Sequence, residues 1–212
     1  VDDVQTTEWQ LFDIRGIRQP SRWLQQVPIQ DVQFVAFSDA TVSYYASIVE
    51  QPIYVVAEQY DNILTNGYIV LLDLPQNVQI LQALLSTKKP SRIYAHFFVQ
   101  DSQYFNGMPT REQFAWFFKL LKQNPQMSWK EHFPKISTQF GVPQEILKFM
   151  TKVFFELKFV RIDKGLISVE PTTQKSALTD APAYKERQAR MELEQLLLYA
   201  PYAELKDWLT AT

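Results

Sequence analysis

Three aspartates at the ends of strand-like apolar stretches are the residues best placed to do chemistry in this sequence. They are Asp13, Asp39 and Asp73, and Arg15 lies close to the first of them. Open parallel sheets bind ligands outside the carboxyl ends of their strands, at the point where the strand order reverses. With the strand order 3-2-1-4-5, Asp13 and Asp73 would flank that crevice, and their carboxylates could bind a divalent cation. The simpler alternative is that these aspartates end strands or cap helices.

Other kinds of reaction centre lack the residues that they need. The nearest two of the five glycines are 24 residues apart, which excludes a Walker A loop and a dinucleotide-binding fingerprint. The chain has no cysteine and only two histidines, His96 and His132. Both lie among aromatic residues, and neither has an evident partner for metal or triad chemistry, so we expect structural roles for them. We therefore predict no catalytic residue, no metal site and no cofactor in this chain.

Short apolar stretches alternate with helix-like stretches in the first half of the chain. Several of the apolar stretches are almost continuous, as expected for strands that helices cover on both faces. We predict strands at residues 9–14, 32–37, 53–56, 68–72 and 92–99, and helices at residues 20–26, 41–50 and 77–87. The pattern predicts an α/β fold that begins with a parallel-sheet, Rossmann-like unit without a phosphate loop.

Turn-forming residues between positions 100 and 110 mark the start of a second unit. Apolar spacing predicts helices at residues 110–122, 128–140 and 143–157, and then strands at residues 159–162 and 166–169. Ser128 and Glu131 have the spacing of a capping box at the start of the second of these helices. Gly165 can adopt the left-handed conformation that a tight hairpin requires. Three helices followed by a hairpin is the element order of a winged helix-turn-helix unit.

A polar connector and a pair of apolar helices complete the chain. The helices are predicted at residues 183–199 and 201–209, and their leucines lead us to expect that they pack back on the body of the protein. The predicted domains are a Rossmann-like domain at residues 1–105, a winged-helix-like domain at residues 106–171, and a linker with two C-terminal helices at residues 172–212.

The middle of the chain is a basic island in an otherwise acidic sequence. Residues 110–171 hold 10 lysines and arginines against 6 acids, whereas residues 1–109 hold 6 against 11. In DNA-binding winged helices, the third helix and the hairpin contact phosphates and bases. The candidates here for binding DNA or a partner protein are Lys148, Thr151, Lys152, Phe155, Arg161 and Lys164. Protein binding stays an alternative, because winged helices also bind proteins and the net charge of this segment is only +4.

The sequence carries no sign of membrane insertion or secretion. No apolar run approaches the roughly 20 residues that cross a bilayer, and no secretory signal opens the chain. The absence of cysteine fits a reducing compartment, so we expect a cytoplasmic protein. Because the chain enters a folded pattern soon after Val1, we also expect it to be a piece of a longer polypeptide.

Several stretches together resemble one protein family. The more specific ones are Asp163-Lys164-Gly165-Leu166-Ile167 and residues 149–160, 184–190, 192–199 and 204–209. Looser matches are Phe12-Asp13-Ile14-Arg15, Leu72-Asp73-Leu74-Pro75 and residues 104–111. Over nearly its whole length, the chain resembles the extra C-terminal domain of RecJ, the single-strand-specific 5′-to-3′ DNA exonuclease, as found in Firmicutes.

The resemblance implies a parent protein that hydrolyses single-stranded DNA in repair and recombination, with Mn²⁺ or Mg²⁺ held by aspartates and a DHH motif. This chain contains no DHH sequence, so the nuclease core and its OB-fold would precede Val1. The implied role is a non-catalytic region that helps to bind single-stranded DNA or partners such as single-strand-binding protein. Two alternatives stay open: a stand-alone winged-helix DNA-binding regulator, and an α/β enzyme that uses the crevice between Asp13 and Asp73.

Overall fold

The computed structural model of the protein describes residues 9–102 and 104–212. The strands within these residues are β1 (Gln10–Asp13), β2 (Val32–Ala36), β3 (Ile53–Val55), β4 (Tyr68–Asp73), β5 (Arg92–Phe98), β6 (Met127–Ser128), β7 (Val160–Asp163) and β8 (Leu166–Val169). The helices are α1 (Pro20–Leu24), α2 (Asp39–Tyr45), α3 (Val56–Gln59), α4 (Val78–Lys88), α5 (Arg111–Gln123), α6 (Trp129–Phe140), α7 (Gln144–Glu156), α8 (Pro182–Glu194) and α9 (Tyr202–Thr210). Short 3-10 turns occur at Tyr60–Asn62 and Leu178–Asp180, and a π-helical turn at Gln195–Tyr199.

The first five strands form one parallel sheet, which confirms the predicted α/β class. Their order is β1-β5-β4-β2-β3, and each neighbouring pair is parallel. The apolar stretches are almost continuous because both faces of the sheet are buried. Along β4, Ile69 and Leu71 belong to one core and Val70 and Leu72 to the other, and none of the four is exposed.

Helices cover both faces of this sheet. Leu81 and Leu84 of α4 are fully buried in the first core, and Asn77 caps that helix by accepting the N–H of Ile80. Trp23 of α1 and Tyr45 of α2 lie in the second core. The sheet is therefore the middle layer of a three-layer arrangement, as expected for a parallel sheet whose crossover connections are helical.

The strand order differs from the 3-2-1-4-5 order on which the crevice hypothesis depends. β1 is an edge strand beside β5, so β5 separates it from β4. The chain runs from β2 outward to β3, but from β4 in the opposite direction to β5. The switch point therefore lies between β2 and β4. Apolar patterning predicts strands but not their neighbours, because each of these strands is similarly apolar.

The chain divides into two compact units. The sheet unit comprises Val1–Ser102 and Glu192–Thr212, and the hairpin unit comprises Gln103–Met191. Leu193, Leu197, Leu205 and Leu209 pack into the first core of the sheet unit, as their apolar character led us to expect. Residues of the predicted C-terminal segment thus occur in both units. The boundaries of independently folding domains stay a prediction.

The hairpin unit contains the three predicted helices and the predicted hairpin. Thr110 and Gln113 form a reciprocal capping box at the start of α5. β7 and β8 are antiparallel, and Asp163 pairs with Leu166 across the two-residue turn. Lys164 and Gly165 have φ angles of 48° and 81°, the left-handed pair that a tight hairpin of this kind requires.

The capping box predicted at Ser128 is wrong. The Ser128 side chain makes no capping hydrogen bond; instead, this residue belongs to β6, a strand that the sequence did not predict, and pairs with Leu166 of β8. At this position long-range pairing overrides the local signal. The predicted helix 183–199 is helical over its whole length, but its last five residues form the π-helical turn that follows α8.

Candidate functional site

The carboxylate of Asp73 lies at the switch point, where the start of α2 binds it. Its Oδ1 accepts the backbone N–H of Phe37 at 2.7 Å. Its Oδ2 accepts the hydroxyl of Ser38, the N-cap residue of α2, at 2.8 Å and that of Thr41 at 2.7 Å. Asp73 is only 5% exposed. The region where doubly wound sheets bind ligands is therefore occupied by an internal carboxylate.

The hydrogen bonds of Asp73 leave little capacity for a ligand. A carboxylate has about four acceptor positions, and three of them are used here. Burial raises the pKa of Asp73 above the ordinary value of 3.8, although hydrogen bonds from Thr41, Phe37 and Ser38 act in the opposite direction. Asp73 therefore joins the end of β4 to the start of α2, which is a structural function.

Asp13 and Arg15 hold the C-terminal segment of the sheet unit in place. Arg15 donates Nε–H and Nη2–H to the two carboxylate oxygens of Asp13 at 2.9 and 2.7 Å, and Nη1–H to the carbonyl of Leu197 at 3.0 Å. Leu197 lies in the π-helical turn. Burial alone would raise the pKa of Asp13, but the hydrogen bonds and charge of Arg15 outweigh it and hold that pKa below 3.8.

The predicted crevice residues are not brought together. Asp13 and Asp73 end strands that β5 separates, and Asp39 is the exposed first residue of α2. Within residues 9–102 and 104–212, no group of three or more His, Cys, Asp or Glu side chains could hold a metal ion. The Mn²⁺ or Mg²⁺ that the resemblance implies for the parent protein fits these acids poorly, because Asp13 is paired with an arginine and Asp73 with three donors.

His96 is enclosed by aromatic side chains of the second core. It is 3% exposed, its Nε2 lies 2.9 Å from the hydroxyl of Tyr45, and its Nδ1 lies 3.4 Å from the carbonyl of Ile14. The ring stacks on Trp23 at a centroid distance of 4.6 Å. Burial lowers the pKa of His96 to about 4. The neutral ring fits both contacts if Nδ1–H donates to Ile14 and Nε2 accepts from Tyr45.

The outward side of α7 carries three of the predicted binding residues. Lys148, Lys152 and Phe155 are exposed at helical spacing, and Phe155 is 51% exposed. Thr151 does not share this face: it is 6% exposed, and its hydroxyl donates to the carbonyl of Leu147 at 2.8 Å. A ligand on this side of α7 would meet two ammonium groups and a phenyl ring.

Trp129 is a residue of this surface that the sequence did not single out. It begins α6, is 39% exposed, and lies under Lys148, whose Nζ is 5.5 Å from the centroid of the indole ring. A Cβ atom at Gly165 would lie 2.9 Å from its Nε1, so the indole packs closely on the turn of the hairpin. The sequence did contain a signal for this surface residue, because the tryptophan lies between Ser128 and Lys130, outside the apolar stripe of α6.

The hairpin adds two more cations to the unit. Arg161 and Lys164 are both exposed, and neither has an ion pair within the described part of the chain. His132, on α6, forms a hydrogen bond to the backbone, because its Nδ1–H donates to the carbonyl of Ser128 at 2.9 Å. We call six exposed side chains of the hairpin unit the recognition face, as the candidates for binding a ligand: Trp129, Lys148, Lys152, Phe155, Arg161 and Lys164.

The recognition face has the chemistry of a polyanion-binding surface with stacking groups. Lysine and arginine bind phosphates through charge, whereas tryptophan and phenylalanine offer ring faces to unstacked bases. Its six side chains include no carboxylate, imidazole or thiol that could bind a metal ion. None of the helices in residues 9–102 and 104–212 is long and apolar enough to span a membrane.

Comparison with known proteins identifies the family. The profile of the family described as "Single-strand DNA-specific exonuclease, C terminal domain" matches residues 10–209. The chain is 35% identical over 215 residues to the single-stranded-DNA-specific exonuclease RecJ of Bacillus subtilis (strain 168), with 99% of this chain and 27% of that protein covered. No solved structure matches significantly. The chain spans about a quarter of the length of that relative. Because the family profile covers almost the whole chain, this chain belongs to the family of C-terminal domains of single-strand DNA-specific exonucleases.

Proposed function

We propose that this chain is a non-catalytic region of a single-strand-specific exonuclease and that it binds single-stranded DNA through the recognition face of the hairpin unit. The parent protein would supply hydrolysis and the Mn²⁺ or Mg²⁺ for it, in the cytoplasm, during DNA repair and recombination. The rest of that polypeptide is then the first partner of this chain.

The observation that carries the proposal is the pair formed by Trp129 and Lys148. The indole is exposed, so an unstacked base could reach it. The ammonium group of Lys148 above the indole could then bind a phosphate or a base edge. The order α5-β6-α6-α7-β7-β8, with β6 paired to β8 of the hairpin, supports the assignment of this unit as a winged helix. In such a unit the third helix and the hairpin form the nucleic-acid-binding side.

The first experiment measures binding of fluorescent oligo-dT to the chain over a range of salt concentrations. Lys148→Gln should weaken binding and lower the salt slope by about 0.7, the value for one phosphate contact on a single strand. Trp129→Leu should weaken binding by about tenfold, whereas Trp129→Phe should retain part of the affinity because a ring remains. Lys119→Gln, an equal charge change on exposed α5, is the matched control. Equal affinities for all four variants would contradict the proposal.

A second experiment tests the absence of catalysis. The purified chain, supplied with Mn²⁺, should leave labelled single-stranded DNA intact, because its described acids lack a metal-binding cluster. Metal-dependent degradation that copurifies with this chain, and that Asp73→Asn or Asp13→Asn abolishes, would contradict the proposal and favour the α/β enzyme.

Phe155 favours a second candidate partner, the single-strand-binding protein. Its ring is 51% exposed beside Lys152 on α7, and an exposed phenyl ring next to a cation also suits an apolar, acidic peptide. If this candidate holds, Phe155→Ala should reduce capture of single-strand-binding protein while the affinity for oligo-dT is unchanged. Equal loss of both ligands would assign Phe155 to the DNA surface.

A further inference from the structure

One face of the sheet unit carries an aromatic and arginine stack that the proposed function does not use. Arg92 of β5 pairs in register with Tyr68 of β4, and Phe12 of β1 pairs with Tyr94, two residues along β5. Because side chains alternate between the faces of a sheet, these four lie on the same face. We call Phe12, Arg92 and Tyr68 the sheet-face stack.

The stack is held by ring contacts, and Phe12 is its exposed member, whereas Arg92 and Tyr68 are half-buried. The ring of Phe12 lies parallel to that of Tyr94, with centroids 4.7 Å apart and planes 12° apart. The guanidinium of Arg92 is 4.6 Å from the ring of Tyr68 and 5.9 Å from that of Phe12. Tyr94 is 3% exposed, whereas Phe12 is 39% exposed. One ring therefore supports another whose outer surface is available.

Arg92 differs from Arg15 and Arg187, whose guanidinium groups donate hydrogen bonds within the fold. Arg15 donates to Asp13 and Leu197, and Arg187 donates to Glu145 and to the carbonyl of Gly107. Within residues 9–102 and 104–212, the guanidinium of Arg92 has ring contacts but no hydrogen bond or ion pair. Its plane is oriented, its charge is permanent, and its donors are unused, which suits it to bind a phosphate.

The local charge favours an anionic ligand. The sheet unit contains more acids than bases, yet the segment between Asp13 and Asp31 holds three arginines and no acid. Two of the three, Arg18 and Arg22, are exposed. Asp13, at the end of the same strand as Phe12, is neutralised by Arg15. Lys206 lines the same surface pocket as Phe12, so a phosphate near the stack would meet its positive charge.

We infer that the sheet-face stack is a second contact surface for single-stranded nucleic acid, with a base stacked on Phe12 and a phosphate bound by Arg92. The identity of the ligand rests on the proposed function, but the residues are separate from the recognition face. Only unpaired bases present their faces to such a ring, so the surface selects single strands over duplex.

The test uses the whole 212-residue chain and oligo-dT at several salt concentrations. Phe12→Leu keeps an apolar side chain but removes the ring, and it should weaken binding about tenfold with little change in the salt slope. Arg92→Gln should weaken binding and lower the slope by about 0.7. Tyr44→Leu removes a somewhat more exposed ring, 48% against 39% for Phe12, elsewhere in the sheet unit and should have no effect. Thermal unfolding of each variant verifies that it is folded.

The outcomes separate this inference from the proposed function. If Phe12→Leu and Arg92→Gln bind like the unaltered chain while Trp129→Leu and Lys148→Gln bind weakly, the inference is overturned and the proposed function stands. If the first pair binds weakly and the second pair binds normally, the sheet-face stack is the DNA surface and the recognition face is not. If the Arg92→Gln variant no longer bound an acidic peptide but still bound oligo-dT like the unaltered chain, the inference would be overturned in favour of a protein ligand.

Discussion

The carboxyl edge of the parallel sheet and the recognition face of the hairpin unit use their polar side chains in opposite ways. At the sheet edge, Asp73 accepts hydrogen bonds at the start of α2, and Asp13 accepts them from Arg15, two residues further along the chain. On the recognition face, Lys148 and Trp129 contact each other, Trp129 also packs on the hairpin turn, and both side chains keep part of their surface exposed. A polar group that the fold satisfies internally stabilises the fold, whereas a group left exposed and oriented can bind a ligand.

The comparison also explains why the acids at this sheet edge form no metal-binding group within residues 9–102 and 104–212. Parallel sheets bind ligands at a switch point because helix N-termini and loops leave donors unused there. In this chain, Asp73 accepts those donors at the start of α2. The position of a polar group in the fold is therefore insufficient to predict a ligand site. Whether the group can bind a ligand depends on its hydrogen-bond partners.

The largest expected effect comes from removing the internal carboxylate at the switch point. Asp73→Ala leaves the N–H of Phe37 and two hydroxyls without their acceptor, and should lower the free energy of unfolding by about 3 kcal/mol. Asp39→Ala, at the exposed first residue of α2, should change it by less than about 0.5 kcal/mol. Urea unfolding measures both. Equal losses would show that the edge acids are not distinguished by their partners.

Acid should destabilise the sheet unit through His96. Burial lowers its pKa from 6.5 to about 4, so the unfolded chain binds a proton that the folded chain does not. Its contribution is complete above pH 6.5 and is lost as the pH falls toward 4, by as much as about 3 kcal/mol. His96→Gln should reduce the slope of unfolding free energy against pH in this window. If His96→Gln left this slope unchanged, the pH dependence of stability would have to come from groups other than His96.

An intermediate effect is expected where Trp129 packs on the hairpin turn. Gly165→Ala places a methyl group 2.9 Å from the indole Nε1 at a φ of 81°, and should cost about 2 kcal/mol and reduce oligo-dT binding. Gly141→Ala, at a φ of 69° with open space around the added carbon, should cost about 1 kcal/mol and leave binding unchanged. Equal behaviour of the two variants would separate Trp129 from the recognition face.

The smallest effect concerns the exposed pair of Lys152 and Glu186. Their charged atoms are 4.0 Å apart, with side chains 60% and 74% exposed, so Lys152→Gln should change stability by less than about 0.5 kcal/mol. Because Glu186 partly balances its charge, Lys152→Gln should weaken oligo-dT binding less than Lys148→Gln does, and Glu186→Gln should strengthen binding slightly. Titrations at low salt measure both; weaker binding by Glu186→Gln would contradict this ranking.

The sequence predicted the elements of this fold well because they depend on local signals. Continuous apolar stretches marked all five strands of the parallel sheet, and the turn at Lys164 and Gly165 marked the hairpin. Strand order depends on which strands meet, and no local signal encodes that. The same limit hid β6, a strand of two residues that exists only through its pairing with β8.

The candidate site was predicted in part. Exposed positions of α7 followed from helical spacing, but Thr151 was misplaced because its hydroxyl is satisfied by the carbonyl one turn earlier. Arg187 was also missed: it lies in a polar stretch of sequence, yet it is 4% exposed and contacts Glu145, Gly107 and Phe149. Such contacts join residues distant in sequence, so composition and periodicity carry no trace of them.

Amide hydrogen exchange of the chain with and without oligo-dT tests the central claim most directly. Binding through the recognition face should slow exchange at the start of α6 and in the hairpin, around residues 129–131 and 161–166, and should leave the switch point around residues 37–41 and 73–77 unchanged. Protection confined to the switch point, or no protection in the hairpin unit under conditions where oligo-dT is bound, would contradict the account.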